Sequence, residues 1–344
     1  MMKSLKWILP VFFLLFSSFI EAQKKEIKAK DFFTDERILD IKLTTDIKNL
    51  LTQKVSLKPV DAFITCKFPD SSIVEENIML KQRGHFRKDH CYLSSLMLQF
   101  NNIATNQLAP LKSLKMVSGC WKNSIDEQFL FKEYLIYKIY NLLTDFSFRV
   151  RLMHVTYTDS KGKVKPYSQC AFVLEDIDGV AKRNKCLEKK LTRYSPTGTH
   201  SYQTTLLSVF QYMIGNADWS IPNYHNIKLL IPKKENYALP IPVAYDFDMS
   251  GLVNANYATP PPDLGIERVT QRVYRGFATT IEETQLVIDL MLQKEKEIFS
   301  IINGFDLLNQ KNKKEMAYFL EEFFKTIKNN AEVKNIFITN ARQE

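Results

Sequence analysis

Between Val60 and Phe100 the chain alternates. The segments DAFITCKF, NIMLKQRG and LSSLMLQF set apolar residues against polar ones between charged turns, the period of half-buried strands. Leu114–Val117 continues that pattern as a short strand. The period then lengthens. Ile125–Thr144 carries apolar residues at helical spacing, and Asp126 and Glu127 stand in its first turn, where acidic groups favour a helix start. Arg149–Thr158 and Gln169–Glu175 return to the strand pattern on either side of the turn Asp159-Ser160-Lys161-Gly162. Thr204–Ile214 predicts a buried helix running into Gly215-Asn216, and Ile227–Ile231 an apolar strand. A second apolar strand ends at Asp246, and Pro260-Pro261-Pro262 makes Asn254–Asp263 a loop. Thr280–Ile302 and Lys311–Asn329 read as amphipathic helices, and no internal repeat is present. The order predicts an α+β protein, rich in strands first and in helices afterwards.

The ends of this pattern differ from its middle. Lys3 and Lys6 precede an apolar run, Trp7–Phe16, and small or polar residues lead to Ala22-Gln23, the grammar of a secretory signal peptide over residues 1–23. That run is short for a membrane span, which needs about 20 residues, so export is expected over a retained anchor. No later stretch is apolar enough to span. Residues 24–55 are polar and charged and read as an N-terminal extension, a strand or a linker.

Composition narrows the class further. Hydrophobic residues make up 45% of the 344, with 24 Phe and 15 Tyr, enough for a sizeable core in one bilobal domain or two ordinary ones. The net charge of +9 favours anionic partners, but the basic residues are scattered and no nucleic-acid motif is present, so no nucleic-acid partner is expected. Cys66, Cys91, Cys120, Cys170 and Cys186 form no CxxC pair and no Cys/His zinc cluster. In an exported protein they allow one or two disulfides and leave at least one thiol over; Cys170, inside an apolar strand, reads as a small core residue. The five histidines are dispersed, which disfavours a metal cluster or a triad.

The chemistry concentrates in two linked segments, QYMIGNADWSIPNYHNIKLL (211–230) and PVAYDFDMSG (242–251). Asp218 follows a Gly-Asn turn, Asn223 and Asn226 lie five and eight residues on, and a strand pair leads to Asp246-Phe247-Asp248. Phosphoryl transfer needs such a set: one carboxylate to orient the attacking hydroxyl, and a carboxamide with a second carboxylate to hold Mg²⁺ on the phosphates. Each part alone is weak, since an Asn-x-Asp turn is usually a capped turn and Asp-x-Asp is often a surface loop. Their order and spacing are what match the plan of a protein kinase.

The Gly215-Asn216-Ala217-Asp218-Trp219 segment, Asn226 before its strand, and Tyr245-Asp246-Phe247-Asp248 resemble the spore-coat-protein-H (CotH) kinase family. The Gly215-Asn216-x-Asp218 turn is also similar to the catalytic loops of HipA-type and secretory-pathway kinases. The resemblance reaches over residues 75–280. It implies an atypical protein-kinase-like two-lobed α+β fold, with a sheet-rich N-lobe over 56–176 and a helical C-lobe over 177–340. It also implies ATP, Mg²⁺ or Mn²⁺, and a protein substrate phosphorylated on hydroxyl groups. Asp218 matches the catalytic acid and Asp246 the metal-binding acid, with Asp248 assisting at a second ion or bracing the loop. Asn226 is favoured over Asn223 as the metal-binding asparagine, because Ile221-Pro222 looks like a local insertion. Lys115, followed by the helix bearing Glu127 and Glu133, is the best match to the phosphate-holding lysine and its glutamate, with Lys81 the alternative. Arg83, in the Arg83-Gly84-His85-Phe86-Arg87 turn, is expected near the phosphates, although the chain has no GxGxxG. Ala171–Asp176, including Glu175, sits where the hinge beside the adenine is expected.

The cysteines then gain an expectation. Cys91 and Cys120 flank the expected nucleotide strands at strand ends, and are the favoured disulfide pair. Rival readings of the whole are a nucleotide-binding pseudokinase, an AMP transferase on the same fold, and a surface interaction protein without nucleotide. ATP is scarce outside the cytoplasm, so export implies an unusual nucleotide supply.

Overall fold

The computed structural model describes residues 29–343 apart from 53–57, 85–89, 101–107, 122, 191–194, 196–197 and 235–237. The expected signal peptide, and the His85–Arg87 part of the arginine-glycine turn, lie outside the described residues. The alternating segments form strands β1 (Leu39–Thr45), β2 (Val60–Lys67), β3 (Ile73–Gln82), β4 (Leu96–Gln99), β5 (Ser113–Ser118), β6 (Val150–Asp159) and β7 (Tyr167–Leu174). They close into a barrel in the order β1-β2-β3-β4-β5-β7-β6. Every pairing is antiparallel except the closing one, where β1 runs parallel to β6 with Leu39 opposite Met153 and Thr45 opposite Asp159. Closure removes both sheet edges, each otherwise a row of unpaired backbone groups.

Period-two alternation lets three strands serve two cores. On β5 and β7, Leu114, Met116, Ala171 and Val173 point into the barrel, while Val117, Phe172 and Leu174 face outward into a second, larger core. Helix α3 (Ser124–Leu143) lies on that outer face; its Asn123 cap accepts from the backbone N–H of Asp126 at 2.9 Å. Around it come α4 (Ile177–Arg183), strand β8 (Cys186–Lys189), α5 (Ser201–Met213), strands β9 (Ile227–Pro232) and β10 (Ile241–Ala244), α6 (Ile281–Asn303), α7 (Gln310–Ile327) and α8 (Asn330–Lys334). The strands form a small sheet in the order β10-β9-β8. Among the described residues no helix is long and apolar enough to cross a membrane.

The α+β class and the main helices and strands agree with the pattern of the chain. Two expectations take a more definite form. The first is the N-terminal extension, whose strand alternative is the one found. Residues 29–52 supply a barrel strand, β1, together with helices α1 (Ala29–Thr34) and α2 (Ile47–Thr52). Arg151 donates to the Phe32 carbonyl at 2.9 Å and pairs with Asp35, and Asp159 accepts from the Ile47 N–H at 2.9 Å, so both helices are tied to β6. The alternation Leu39, Ile41, Leu43 marks β1, but charged flanks dilute it. The second is the outline: the sheet-rich part is a closed barrel of seven strands, not an obvious two-lobed kinase arrangement. Closure depends on β1 meeting β6, a pairing too remote in sequence for local periodicity to reveal.

Cys91 and Cys120 form a disulfide with Cα atoms 4.6 Å apart, as expected for the favoured pair. It joins the segment after Arg83 to the end of β5. Cys66 is buried, which pushes its thiol up to about 12, and half-buried Cys170 is pushed up to about 11 chiefly by burial.

Candidate functional site

The β9–β10 hairpin brings two motifs together. Ala244 pairs with Ile227, and one step further Tyr245 N–H donates to the Asn226 carbonyl at 3.1 Å, so Asn226 and Asp246 stand beside each other at one end of the hairpin. Both are left-handed, with φ of 54° and 66°. Asn and Asp enter that region more readily than other side chains, and residues held there often mark functional sites. Asp246 N–H donates to the Tyr137 hydroxyl of α3 at 2.8 Å. The next residue, Phe247, is fully buried with its ring 4.7 Å from that of Tyr137 and 5.6 Å from that of Phe210.

Asp218 is positioned by the end of α5. Gly215 has φ of 63°, and a Cβ there would lie 2.8 Å from the Phe319 ring, so both conformation and space demand glycine. Asn216 accepts from the Asp218 N–H at 3.0 Å, donates to Gln211, and takes the Trp219 indole N–H on its carbonyl. Trp219 is thus a buried packing residue. The Asp218 carboxylate meets His225 Nε2 at 2.6 Å and accepts from Asn226 Nδ2 at 3.1 Å; the same Nδ2 donates to the Asp218 carbonyl at 2.8 Å. The Asp218 side chain is still 35% exposed.

The two asparagines separate clearly. Ser220 and His225 exchange backbone hydrogen bonds of 2.9 and 3.0 Å, which pinches Ile221–Tyr224 off as a turn. Asn223 sits exposed on that turn, its N–H donating to Ser220 Oγ at 3.3 Å. Asn226, beyond the pinch, is the one that reaches Asp218.

From the barrel side, Lys115 faces this hairpin. Its Nζ lies 4.8 Å from the Tyr245 ring centroid. Burial first, and then the positive charges of Arg83 and Lys228, lower its pKa to about 8, against the opposing pull of Asp246 and Asp176. Arg83 therefore belongs to the site electrostatically, and its backbone N–H is held by Ser95 O at 2.8 Å. Lys81, the alternative lysine, flanks Met97 of β4 on the side opposite Lys115. The helix acids divide: Glu127 is spent on the Cys170 N–H at 2.8 Å, whereas Glu133 is buried on α3 and its charge acts on Tyr137, the partner of Asp246. Glu175 braces the link out of the barrel, accepting from Arg149 N–H and Arg183 Nε, both at 3.2 Å. Burial raises its pKa against those donors. Asp248 is nearly buried and accepts from the Tyr257 hydroxyl at 3.2 Å, the bracing alternative foreseen for it.

Whether the residues suit a divalent ion is decided by donor chemistry. Among the described residues no three His, Cys, Asp or Glu side chains gather into a metal cage. A phosphate-bound Mg²⁺ needs less, because waters and phosphate oxygens complete its shell. Asn226 spends Nδ2 on Asp218, which turns its Oδ1 the other way, and that oxygen accepts no hydrogen bond among the described residues. A carboxamide oxygen and a carboxylate, from residues adjacent at the hairpin end, are hard oxygen donors of the kind Mg²⁺ or Mn²⁺ takes.

Three participants were not singled out from sequence. Tyr137 holds Asp246, His225 holds Asp218, and Arg275 Nη1 donates to the Ala217 carbonyl immediately before Asp218. Only His225 left a signal, its position one residue before Asn226. No protein-family model matches the chain, and no curated protein matches it either.

Proposed function

We propose that this protein is an exported, metal-dependent phosphotransferase of kinase-like organisation, moving the γ-phosphoryl group of ATP to hydroxyl groups of proteins. In this reading the barrel with Lys115 and Arg83 plays the part of the N-lobe, and the second core that of the C-lobe. The observation that carries it is the convergence of Asp218, Asn226 and Asp246 at one end of the β9–β10 hairpin with Lys115 opposite. Asp246 and the Asn226 carboxamide oxygen would hold the divalent ion, whose charge offsets that of the phosphates when bound. Lys115, with Arg83 beside it, would hold the α- and β-phosphates. Asp218 orients the acceptor hydroxyl and takes its proton as the new O–P bond forms and the bond to the leaving ADP oxygen breaks. The Cys91–Cys120 disulfide supports export, since such bonds persist in oxidising compartments.

The His225–Asp218 hydrogen bond favours a second reading on the same fold. The imidazole occupies one carboxylate oxygen, which suits nucleotide binding without hydroxyl transfer, or transfer of AMP. Calorimetry with ATP and Mg²⁺ or Mn²⁺ tests both readings against a protein without nucleotide function. Asp246→Ala should abolish metal-dependent ATP binding. Asp218→Ala should keep binding and lower turnover by a factor on the order of 10²–10⁴ if Asp218 is the acid–base group. An Asp246 variant that binds MgATP like the parent would remove the metal assignment; an Asp218 variant with parental turnover would favour the second reading.

A further inference from the structure

The residue before Asp218 leads to a cationic feature on the acceptor side. Arg275 Nη1 donates to the Ala217 carbonyl. The following residues pair with the C-terminal segment: Arg342 N–H donates to Gly276 O at 3.0 Å and Ala278 N–H to Arg342 O at 3.1 Å. The Arg342 guanidinium lies 4.7 Å from the Phe277 ring centroid. Gly276 packs against α5 without a side chain: a Cβ there would fall 2.2 Å from the Tyr274 hydroxyl and 2.7 Å from Ser208. Half-buried Arg275 is therefore held next to Asp218, and exposed Arg342 is held beside Arg275.

Neither guanidinium forms an ion pair among the described residues. Burial and the neighbouring charge of Arg342 both act against the Arg275 cation, and only Asp263 and Asp218 oppose them. Asp218 is already engaged by His225 and Asn226, and Asp263 is exposed on a separate turn. Two like charges held together, one of them half-buried, are unfavourable unless an anion completes the site. The nucleotide does not supply that anion, since Lys115 and Arg83 hold its phosphates on the barrel side.

We propose that Arg275 and Arg342 form an acceptor-recognition subsite, and that the protein substrate carries Asp or Glu residues flanking its acceptor hydroxyl. This rests on the phosphotransferase reading above and names its substrate class. A guanidinium fork matches a carboxylate with two parallel hydrogen bonds, whereas the other cluster of basic groups, Lys115 with Arg83 and Lys228, lies on the barrel side.

The test is fluorescence anisotropy of a serine peptide flanked by glutamates against the same peptide with glutamines, on the full chain, with MgATP calorimetry in parallel. The acidic peptide should bind about tenfold more tightly, and the preference should weaken with salt. Arg342→Ala, at an exposed position, should reduce the acidic peptide to the level of the neutral one while MgATP affinity is kept; Arg275→Lys should lower the preference without removing it. Equal binding of the two peptides overturns the proposal. So does a preference that survives Arg342→Ala, or equal competition by a polynucleotide. A preference lost in Arg342→Ala, in a protein that binds no MgATP, would keep the acidic-peptide subsite and overturn the phosphotransferase reading instead.

Discussion

Inside the barrel, Leu39, Leu80 and Met116 are fully buried among apolar neighbours, whereas from the last turn of α5 onward the buried residues include Gln211, Asn216, Asn226 and Asp248. The barrel interior is held chiefly by apolar burial, which has no direction and tolerates small shifts, with polar ties such as Arg151 and Asp159 fastening α1 and α2 to it. The site loops are held by matched donors and acceptors, where each lost partner strands a buried polar group. Tyr224, Asn226 and Asp246 are left-handed in the site loops, while on the barrel side left-handed non-glycine backbone is confined, among the described residues, to turns, at Ser71 and Lys112. The contrast teaches that the apolar barrel core and the polar candidate site lie in different parts of one chain and meet along Lys115, Arg83 and Tyr137.

Phe247 is where the two should fail together. Phe247→Ala removes a fully buried ring and is expected to cost about 3–5 kcal/mol in denaturant unfolding, with MgATP binding lost as well. Leu80→Ala in the barrel should cost about 2–5 kcal/mol yet leave MgATP affinity unchanged wherever the protein stays folded. Equal loss of affinity in both variants would break the separation.

The disulfide should lie next in size. It closes a loop of 29 residues, and Cys91→Ser with Cys120→Ser is expected to cost about 3–4 kcal/mol, read as a lower melting temperature. Because it joins the segment after Arg83 to the strand of Lys115, MgATP affinity should fall with it, by a few-fold.

Lys115 should show the opposite sign. Burial holds its charged form above its cost in water, so Lys115→Met should stabilise the protein by about 1 kcal/mol while abolishing MgATP binding. Its folded pKa of about 8 lies below the ordinary 10.5, so the unfolded chain binds more protons between those values and stability rises with pH across that window. The parent should show that rise, and Lys115→Met should lack it; coincident stability–pH curves would remove the burial argument.

The smallest effect separates the asparagines. Asn223→Ala, on an exposed turn, should change stability by less than about 0.5 kcal/mol and leave MgATP binding intact. Asn226→Ala should lose binding. Reversed outcomes would exchange the two assignments.

The chain by itself determined its elements, because helix and strand periods are written in neighbouring residues: Ile125–Thr144 became α3 and Gln169–Glu175 became most of β7. It also determined the linear order Asp218, Asn226, Asp246 and favoured the pairing of Cys91 with Cys120, which the structure then shows. Strand β8 and helix α4 escaped that reading, since four and seven residues are too few to display a period; only the Asp176 cap of α4 left a trace. Closure of the barrel by β1 on β6, and the meetings of His225 with Asp218, Tyr137 with Asp246 and Arg275 with Ala217, were decided by tertiary structure alone. Periodicity records which face of an element is buried but not which distant element will cover it, and a hydrogen-bond partner is chosen only when two such faces come together.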